Sequence, residues 1–223
     1  MIHRCIVIVL LVLSTALSVP AQSRIEGRWS IGAKGGVCLS KVNFTPSVPQ
    51  TLLPGMTMGV TARYVEEKHF GIIAELNLEQ RGWKETFEGY DYAYQRRLTY
   101  LHLPLMTHIF FGNYRVRGFF NAGPEVALLI GRKTTANFDY TQTDFPIANR
   151  HTEQFTLDVK RTFDYGITAG IGVEVNLARR HALVLEGRFY YGLGDIFDNH
   201  KSDPFSGSSS MAILATLGYV YTL

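Results

Sequence analysis

Acidic and basic residues occupy even-numbered positions in the two apolar-alternating runs between Arg161 and Leu193, and groups of this kind can carry out acid–base chemistry. Less polar residues flank each of these charged side chains, which are Asp164, Glu174, Glu186 and Arg188. Paired carboxylates act as general acid and general base in many hydrolases. The same groups could also relay protons or ions, or form structural ion pairs. The choice depends on the element that positions them.

That element is a β-hairpin. From Phe163 to Leu177 every odd position is apolar, and every even position is polar or glycine. Such period-two alternation predicts a strand with one apolar and one polar face. After the turn Ala178–His181 the alternation resumes and continues to Leu193. The hairpin therefore places its charged residues on one face and its apolar residues on the other.

The same alternation recurs along the whole chain and predicts an all-β fold. We expect eight strands, at about 29–39, 56–64, 70–81, 101–109, 114–130, 161–177, 182–193 and 211–223. Pro104 lies within the fourth strand and predicts a local break in its hydrogen-bond ladder. The connections alternate between long and short, the long ones including 82–95, 131–160 and 194–210. This alternation is typical of an antiparallel up-and-down transmembrane β-barrel with short periplasmic turns and long extracellular loops.

Aromatic residues on the apolar face favour the barrel over a soluble sandwich. When each strand is given its direction, they fall into two bands. The band near the periplasmic ends contains Trp29, Tyr64, Phe70, Tyr114, Tyr219 and Tyr221. The band near the outer ends contains Phe163, Tyr165, Phe189 and Tyr191. Aromatic rings prefer the two membrane interfaces, so the apolar face is expected to contact outer-membrane lipid.

The N-terminus predicts export. Arg4 precedes an apolar core, and small residues before Gln22 provide a cleavage site, so 1–21 is interpreted as a signal peptide and 22–223 as one barrel domain. Removing 1–21 leaves 21 Lys+Arg (22 minus Arg4) against 19 Asp+Glu, a charge of about +2. This balance does not indicate a nucleic-acid partner. Cys38 is then the only cysteine, which excludes an intramolecular disulfide.

The polar face is predicted to line the barrel interior. An eight-stranded barrel is just wide enough for side chains to fill it. The bases predicted there are Lys34, Arg63, Arg81, Arg115, Arg117 and Arg188. The acids are Glu75, Glu79, Glu125, Asp164, Glu174 and Glu186. Because buried ions must be paired, we expect an ion-pair network here, with a proton or ion relay as the alternative.

No catalytic, cofactor-binding or metal-binding residues are predicted. The outward positions include neither the histidine nor the serine that lipid hydrolysis would require. His102 and His108 face inward and lie roughly 20 Å apart at ~3.3 Å per residue, too far to share a metal. His151 and His200 fall in outer loops, the latter near Asp198, Asp203 and several serines.

Short motifs distributed over nearly the whole mature chain resemble the PorT-like outer-membrane β-barrel proteins of Gram-negative bacteria. The motifs are Gly32–Gly36, Ala74–Leu76 with Arg81–Gly82, Tyr100–Leu105, Ala122–Pro124, Asp164–Gly166 with Gly170–Gly172, and Leu185–Tyr190 with Gly192–Leu193. The resemblance implies an outer-membrane barrel and, for the founding member, a part in a secretion apparatus. It implies no catalytic residues. The chain departs from the usual outer-membrane pattern by ending in Leu223 rather than phenylalanine.

Together these observations predict a non-enzymatic outer-membrane barrel with a filled interior. It would act through its extracellular loops, or as a component of a secretion (type IX-like) or surface-interaction system with protein partners. A narrow ion or small-solute channel is the alternative, and a lipid-modifying enzyme is a third hypothesis.

Overall fold

The computed structural model describes residues 27–66, 69–140, 152–157, 159, 162–197 and 205–223. The predicted signal peptide lies outside the described residues, as do His151, Asp198, His200 and Asp203. Within the described ranges, no helix is long and apolar enough to cross a membrane.

Nine strands and one short helix make up the described part of the chain. The strands are β1 Arg28–Thr45, β2 Gln50–Thr51, β3 Leu53–Val65, β4 Phe70–Glu85, β5 Tyr94–Gly112, β6 Val116–Ala136, β7 Phe163–Ala178, β8 His181–Asp195 and β9 Gly207–Thr222. The helix α1 is Glu153–Thr156. Eight strands are long, and β2 is a two-residue segment that pairs with β4 on the edge that β3 also uses.

The eight long strands close into a ring. Each pairs antiparallel with its neighbours in sequence, and β4 pairs with β5 from Phe70 opposite Ile109 to Glu85 opposite Tyr94. The ring is completed where β1 pairs with β9, from Ser30 opposite Thr222 to Thr45 opposite Gly207. No long strand in the described chain is left with a free edge. The predicted eight-stranded up-and-down barrel is confirmed.

The break predicted at Pro104 is also confirmed. Along β4 and β5, Ala74 pairs with Leu105 and the next pair is Asn77 with His102, so Pro104 has no partner in β4. The register is the same on both sides of the gap, because a proline removes one ladder donor without adding a residue. A true bulge lies higher in the ladder between β5 and β6, where Thr99 pairs with Gly131 and Tyr100 with Leu129, so Ile130 of β6 is the extra residue.

The outer wall of the barrel is apolar over most of its height. Large side chains of every long strand are exposed there, for example Val60, Leu105, Ile171 and Leu217. The residues of both predicted aromatic bands are also at least partly exposed on this wall, and Phe111 adds a ring to the short-turn end. A water-soluble protein does not expose so large a continuous apolar surface. The wall therefore faces lipid.

The strands extend further at the long-loop end than predicted. Residues 82–85 belong to β4, and β5 begins at Tyr94, so the predicted loop 82–95 is reduced to 86–93. Likewise β6 continues to Ala136, which shortens the predicted loop 131–160. The prediction was wrong because these segments are polar on their outer face, which is typical of loops in a membrane barrel.

Polarity reverses between the two faces in these extensions. On β1 the outward side chains change from Val37 and Leu39 to Lys41, whereas the inward side chains change from Ser40 to Val42. Outward apolar and inward polar residues are thus replaced by the opposite arrangement within one strand. This reversal marks the level at which the outer wall leaves lipid and enters water.

Candidate functional site: the filled interior and the long-loop end

Four charged side chains meet at the middle of the barrel and form the central cluster. Arg188 on β8 donates to Glu75 on β4 at 2.8 Å and contacts Glu186 at 2.7 Å. Lys34 on β1 approaches Glu75 at 2.6 Å and Glu186 at 3.5 Å. The amide of Asn77 donates to Glu75 at 2.9 Å. Glu75, Glu186 and Arg188 are buried, Lys34 is partly buried with 9% of its side chain exposed, and each charge has a partner of opposite sign.

A second group lies towards the short-turn end and forms the lower cluster. Arg63 pairs with Glu174, and Arg117 lies 3.7 Å from the same carboxylate. Arg117 is the most accessible member, with 26% of its side chain exposed. His108 and Asn121 extend the central cluster towards the lower one: the histidine contacts the amide oxygen at 2.7 Å, and the amide donates to Glu186 at 2.8 Å.

A third group, the upper cluster, surrounds Arg81. Its guanidinium pairs with Glu79 and with Glu125, the latter at 2.8 Å, and lies 3.6 Å from the ring centre of Tyr190. His102 Nδ1 is 2.7 Å from the Glu125 carboxylate. Arg81 is only 1% exposed, so the two carboxylates and the aromatic ring replace its hydration.

Two of the residues expected in the network are placed differently. Asp164 points inward but accepts a hydrogen bond from the Tyr190 hydroxyl at 3.0 Å, and no ion pair to it is found among the described residues. Arg115 is exposed in the turn between β5 and β6. The prediction that Arg115 faces inward is wrong, because β6 begins only at Val116 and the alternation does not extend into the turn.

The clusters leave little empty space. Beside Lys34, Arg63 and Glu186 there is a cavity of about 20 Å³, room for about one water molecule. Side-chain direction followed from the period of the strands, so the inward placement was predictable. The partners were not, since Glu75 and Arg188 are 113 residues apart and only barrel closure brings them together. His108, Asn121 and Tyr190 were not predicted as members of the network.

Beyond the upper cluster the interior becomes apolar and aromatic, and this part is called the head. Its core includes Trp83 on β4 and Tyr94 on β5, together with Phe44 on β1 and Phe197 after β8. The Trp83 ring lies 5.4 Å from Phe44 and 5.9 Å from Phe197, both edge to face. Such edge-to-face contacts stabilise aromatic packing beyond the area that is buried.

The short helix α1 closes the head from above. Phe155 inserts into the core with its ring centre 4.5 Å from that of Tyr94. The Gln154 amide donates to both oxygens of Glu85, at 3.0 and 3.2 Å. Arg96 donates to the carbonyl of Leu157 at 2.6 Å. These polar contacts fix the helix on the barrel, so part of the predicted long loop is a structured cap.

The connection between β4 and β5 carries an exposed aromatic tip. Tyr90 is 48% exposed and stacks on Tyr92, with ring centres 5.8 Å apart and planes 7° apart. Tyr92 in turn packs against Phe87 and Phe138 of the head. Gly89 has a φ of +77°, a conformation that a side chain would disfavour, and this glycine turns the chain into the tip. The tip is therefore held by the head core.

The described residues contain no group of three or more histidine, cysteine, aspartate or glutamate side chains that could hold a metal ion. Cys38 is buried in the interior, and its thiol donates to Glu79 at 3.5 Å. His102 Nδ1 lies 2.7 Å from the Glu125 carboxylate, but the angle is not that of a hydrogen bond, both residues are almost fully buried, and Arg81 contacts the same carboxylate.

Comparison with solved structures identifies barrels of the same design. OprG from Pseudomonas aeruginosa is similar at 9% identity, with 87% of this chain and 95% of that chain covered and a TM-score of 0.52. Neisserial surface protein A follows at 11% identity, with 86% and 96% covered and a TM-score of 0.42. Ail from Yersinia pestis has 10% identity, with 86% and 98% covered and a TM-score of 0.42. At such identities the similarity to OprG concerns the fold alone.

A search of curated protein sequences found no match to the chain. The model of the family described as outer membrane protein beta-barrel domain matches residues 20–198, which is most of the chain. This match agrees with the closed ring, the lipid-facing wall and the aromatic bands. The chain belongs to the outer membrane protein β-barrel domain family and resides in the bacterial outer membrane.

Proposed function

We propose that the protein is a non-enzymatic outer-membrane barrel that binds a protein partner through its extracellular head. The tyrosine tip at Tyr90 and Tyr92 carries this proposal. Tyrosine is enriched among residues that dominate binding energy at interfaces, because it combines a large contact area with little conformational entropy. The tip is packed on a rigid core, so little ordering is required when a partner binds.

The filled interior supports a role outside solute transport. Ion pairs fill the barrel at the level of the membrane, and the aromatic core with α1 fills it above that level. A barrel filled in this way can still act by binding at its surfaces. The resemblance to PorT-like proteins then makes a secretion (type IX-like) or surface-interaction assembly the expected partner.

Site-specific photocrosslinking in intact outer membranes tests this proposal. A photoreactive residue in place of Tyr90 is expected to crosslink to a discrete protein partner, such as a secretion-complex component. The same residue in place of Tyr114, an exposed aromatic at the periplasmic end, is the matched control. Equal crosslinking patterns at the two positions, or no protein adduct at position 90, would contradict the proposal.

Loop replacement gives an independent test. Deleting Thr134–Asp158 would also remove the end of β6 and the cap residues Gln154 and Phe155, which would disturb the head itself. Replacing 141–151 by a Gly-Ser linker of equal length keeps these elements. We expect assembly into the membrane to be unchanged. Retention of partner binding would locate binding on the tip and the head rather than on that segment.

A narrow channel is the second candidate, because charged residues line the interior from the lower cluster to the upper cluster. Ions could pass along such a column only if the ion pairs exchange partners. Planar-bilayer recordings of the wild type and of Glu75→Gln discriminate between the candidates. A silent bilayer for the wild type would exclude conduction, and a conductance altered by Glu75→Gln would support it.

A lipid-modifying activity is the third hypothesis, and its chemistry needs a nucleophile and a base that lipid can reach. Among the described histidines, His102 lies closest to a carboxylate, that of Glu125 at 2.7 Å, and it is in the interior away from the lipid-facing wall. Thin-layer analysis of lipid A from cells with and without the protein tests this hypothesis. A changed acylation pattern that is lost in His102→Asn would establish an enzyme and overturn the non-enzymatic proposal.

A further inference from the structure

Three cations lie side by side on the outer wall of the barrel, just beyond its apolar belt. Lys84 on β4, Arg97 on β5 and Lys133 on β6 all alternate with inward residues and therefore face outward. Arg97 lies directly opposite Lys133 in the ladder, and Lys84 lies opposite Gln95, one outward row higher. This basic patch consists of Lys84, Arg97 and Lys133.

In the described rows of the ladder, no acidic residue faces outward beside these cations. In its two rows the outward neighbours are Gly82, Gln95 and Thr135, and the row beneath contains Gln80, Thr99 and Gly131. No ion pair to the three cations is found among the described residues. Like charges directly opposite each other on a sheet are destabilising. An anion bound from outside would relieve this repulsion.

Arg97 is held in place for such a ligand. Its guanidinium reaches from β5 across β4 and donates to the carbonyl of Pro54 on β3 at 3.1 Å. β4 offers Gly82 opposite Arg97, so no side chain of that residue obstructs the crossing. One cation of the patch is thus fixed by the protein, which reduces the entropy lost on binding.

A depression of about 250 Å³ adjoins the patch. It is lined by Lys84, Gln95, Thr135 and Asn137, together with Tyr94 and small residues. An ammonium, a carboxamide and a hydroxyl group offer hydrogen bonds to phosphate oxygens and sugar hydroxyls. The combination of a cationic patch and a polar depression suits a phosphorylated saccharide better than a simple fatty acid.

The position of the patch relative to the membrane favours a lipid headgroup over a soluble anion as its ligand. Arg97 lies four residues beyond Leu101, the last apolar outward residue of β5. At ~3.3 Å per residue and a strand tilt of about 40°, this is roughly 10 Å above the hydrocarbon edge. Long basic side chains also bend towards the interface. The cations therefore meet the headgroup layer of the outer leaflet.

The patch occurs on one side of the barrel. At the extracellular ends of β7, β8 and β9, the described outward residues include aromatic, aliphatic and serine side chains, and none is lysine or arginine. On β1 the outward cation at this level is the single residue Lys41, opposite Met211 of β9. A general attraction to the membrane surface would not need this asymmetry. We propose that Lys84, Arg97 and Lys133, with the adjoining depression, bind the phosphorylated headgroup of a glycolipid of the outer leaflet.

Binding of lipid A to the full-length protein in detergent micelles tests the proposal. The variant Lys84→Gln/Arg97→Gln/Lys133→Gln should bind lipid A roughly 100-fold more weakly, because each cation near an anionic headgroup contributes about fivefold. The matched control Arg28→Gln/Arg115→Gln/Arg179→Gln removes the same charge from exposed periplasmic positions and should bind like the wild type. Heat-modifiable gel migration checks that all three barrels are folded.

Two further measurements distinguish recognition of the phosphorylated headgroup from binding of the acyl chains or of free anions. Dephosphorylated lipid A should bind weakly to the wild type, and Thr135→Trp, which fills the depression without changing charge, should weaken binding of intact lipid A. Equal affinity of both triple variants would overturn the proposal, as would equal binding of the dephosphorylated lipid. Equally strong binding of inorganic phosphate would identify a site for free anions and also overturn it.

Discussion

The interior of one continuous barrel has opposite character at two levels. At the level of the membrane it contains ion pairs such as Arg188 with Glu75, whereas in the head it contains rings such as Trp83 and Phe44. The same strands, β1 and β4, contribute to both. The two levels differ in the medium outside the barrel, because the outer wall faces lipid at the level of the membrane and water at the level of the head. The interior is thus determined by the medium that surrounds the wall.

This difference has an energetic basis. In the head, moving apolar area from water into the core stabilises the fold by about 25 cal/mol per Å². At the membrane level most apolar residues are on the lipid face. The interior there holds some apolar side chains, such as Ile73, Met106 and Leu214, and the charged groups beside them must satisfy each other. The ion pairs there serve to fill the barrel and fix its register, and each depends on its partner.

The largest expected effect comes from removing the base of the central cluster. Arg188→Met leaves Glu75 and Glu186 with Lys34 as their remaining base, and we expect it to lower the free energy of unfolding by about 3–5 kcal/mol. Urea titration of the barrel in lipid vesicles measures this. Arg115→Met removes an exposed arginine and should change stability by less than about 0.5 kcal/mol. Equal losses for both variants would show that interior pairing does not stabilise the barrel.

Removing a central ring of the head should lower the free energy of unfolding by a similar amount, but it should loosen the head alone. Trp83→Ala creates a cavity that costs about 3–5 kcal/mol in a well-packed core. We expect hydrogen exchange of β4 and β5 amides to accelerate above Arg81, while amides at the level of Glu75 stay protected. Trp29→Ala, on the lipid face of β1, is the control. Loss of protection along the whole strands would mean that the two levels are one cooperative unit.

A smaller effect tests where the outer wall changes medium. Leu217→Lys on β9 places a charge near the middle of the lipid face and should lower the free energy of unfolding by about 2–4 kcal/mol. Asn43→Lys on β1 lies above the polarity reversal and should lower it by only about 0–1 kcal/mol. Unfolding of both variants in the same vesicles measures the difference. A large cost for Asn43→Lys would place the membrane boundary higher than the reversal indicates.

The smallest effect concerns a single pair. The test is a double-mutant cycle with Arg63→Met and Glu174→Leu. The double variant should lose less free energy of unfolding than the two single losses added together, by about 0.5–3 kcal/mol. This coupling arises because Glu174→Leu removes the carboxylate that pairs with Arg63, whereas Arg63→Met leaves Glu174 with only the more distant Arg117. Additive losses would indicate that Arg63 and Glu174 do not depend on each other.

The alternation of residues predicted much of this structure, since side-chain period determines which face each residue occupies. It placed Glu75, Glu174 and Arg188 inside, and it placed Trp29 and Tyr165 on the outer wall. It failed at Arg115, where the strand had not yet begun. The cross-barrel partners could not be predicted, because which strands face each other depends on closure and tilt rather than on any local pattern.

The head was missed for a different reason. Trp83 and Tyr94 lie within the segment interpreted as a loop, because its outward residues are polar as in loops. The signal was present as an alternation with reversed polarity, in which Val42 and Phe44 follow Ser40 at even positions. Recognising that a barrel strand can continue beyond the membrane with its faces exchanged would have predicted the aromatic core.

The closure of β1 on β9 has a consequence for the order of folding. Ser30 and Thr222 are 192 residues apart, so the last ladder can form only after nearly the whole chain has been synthesised and exported. Contacts of such high sequence separation make folding slow. Until that ladder forms, β1 and β9 present unpaired edges that can pair with other chains. Productive assembly therefore requires that both terminal strands be kept apart from foreign strands until they meet each other.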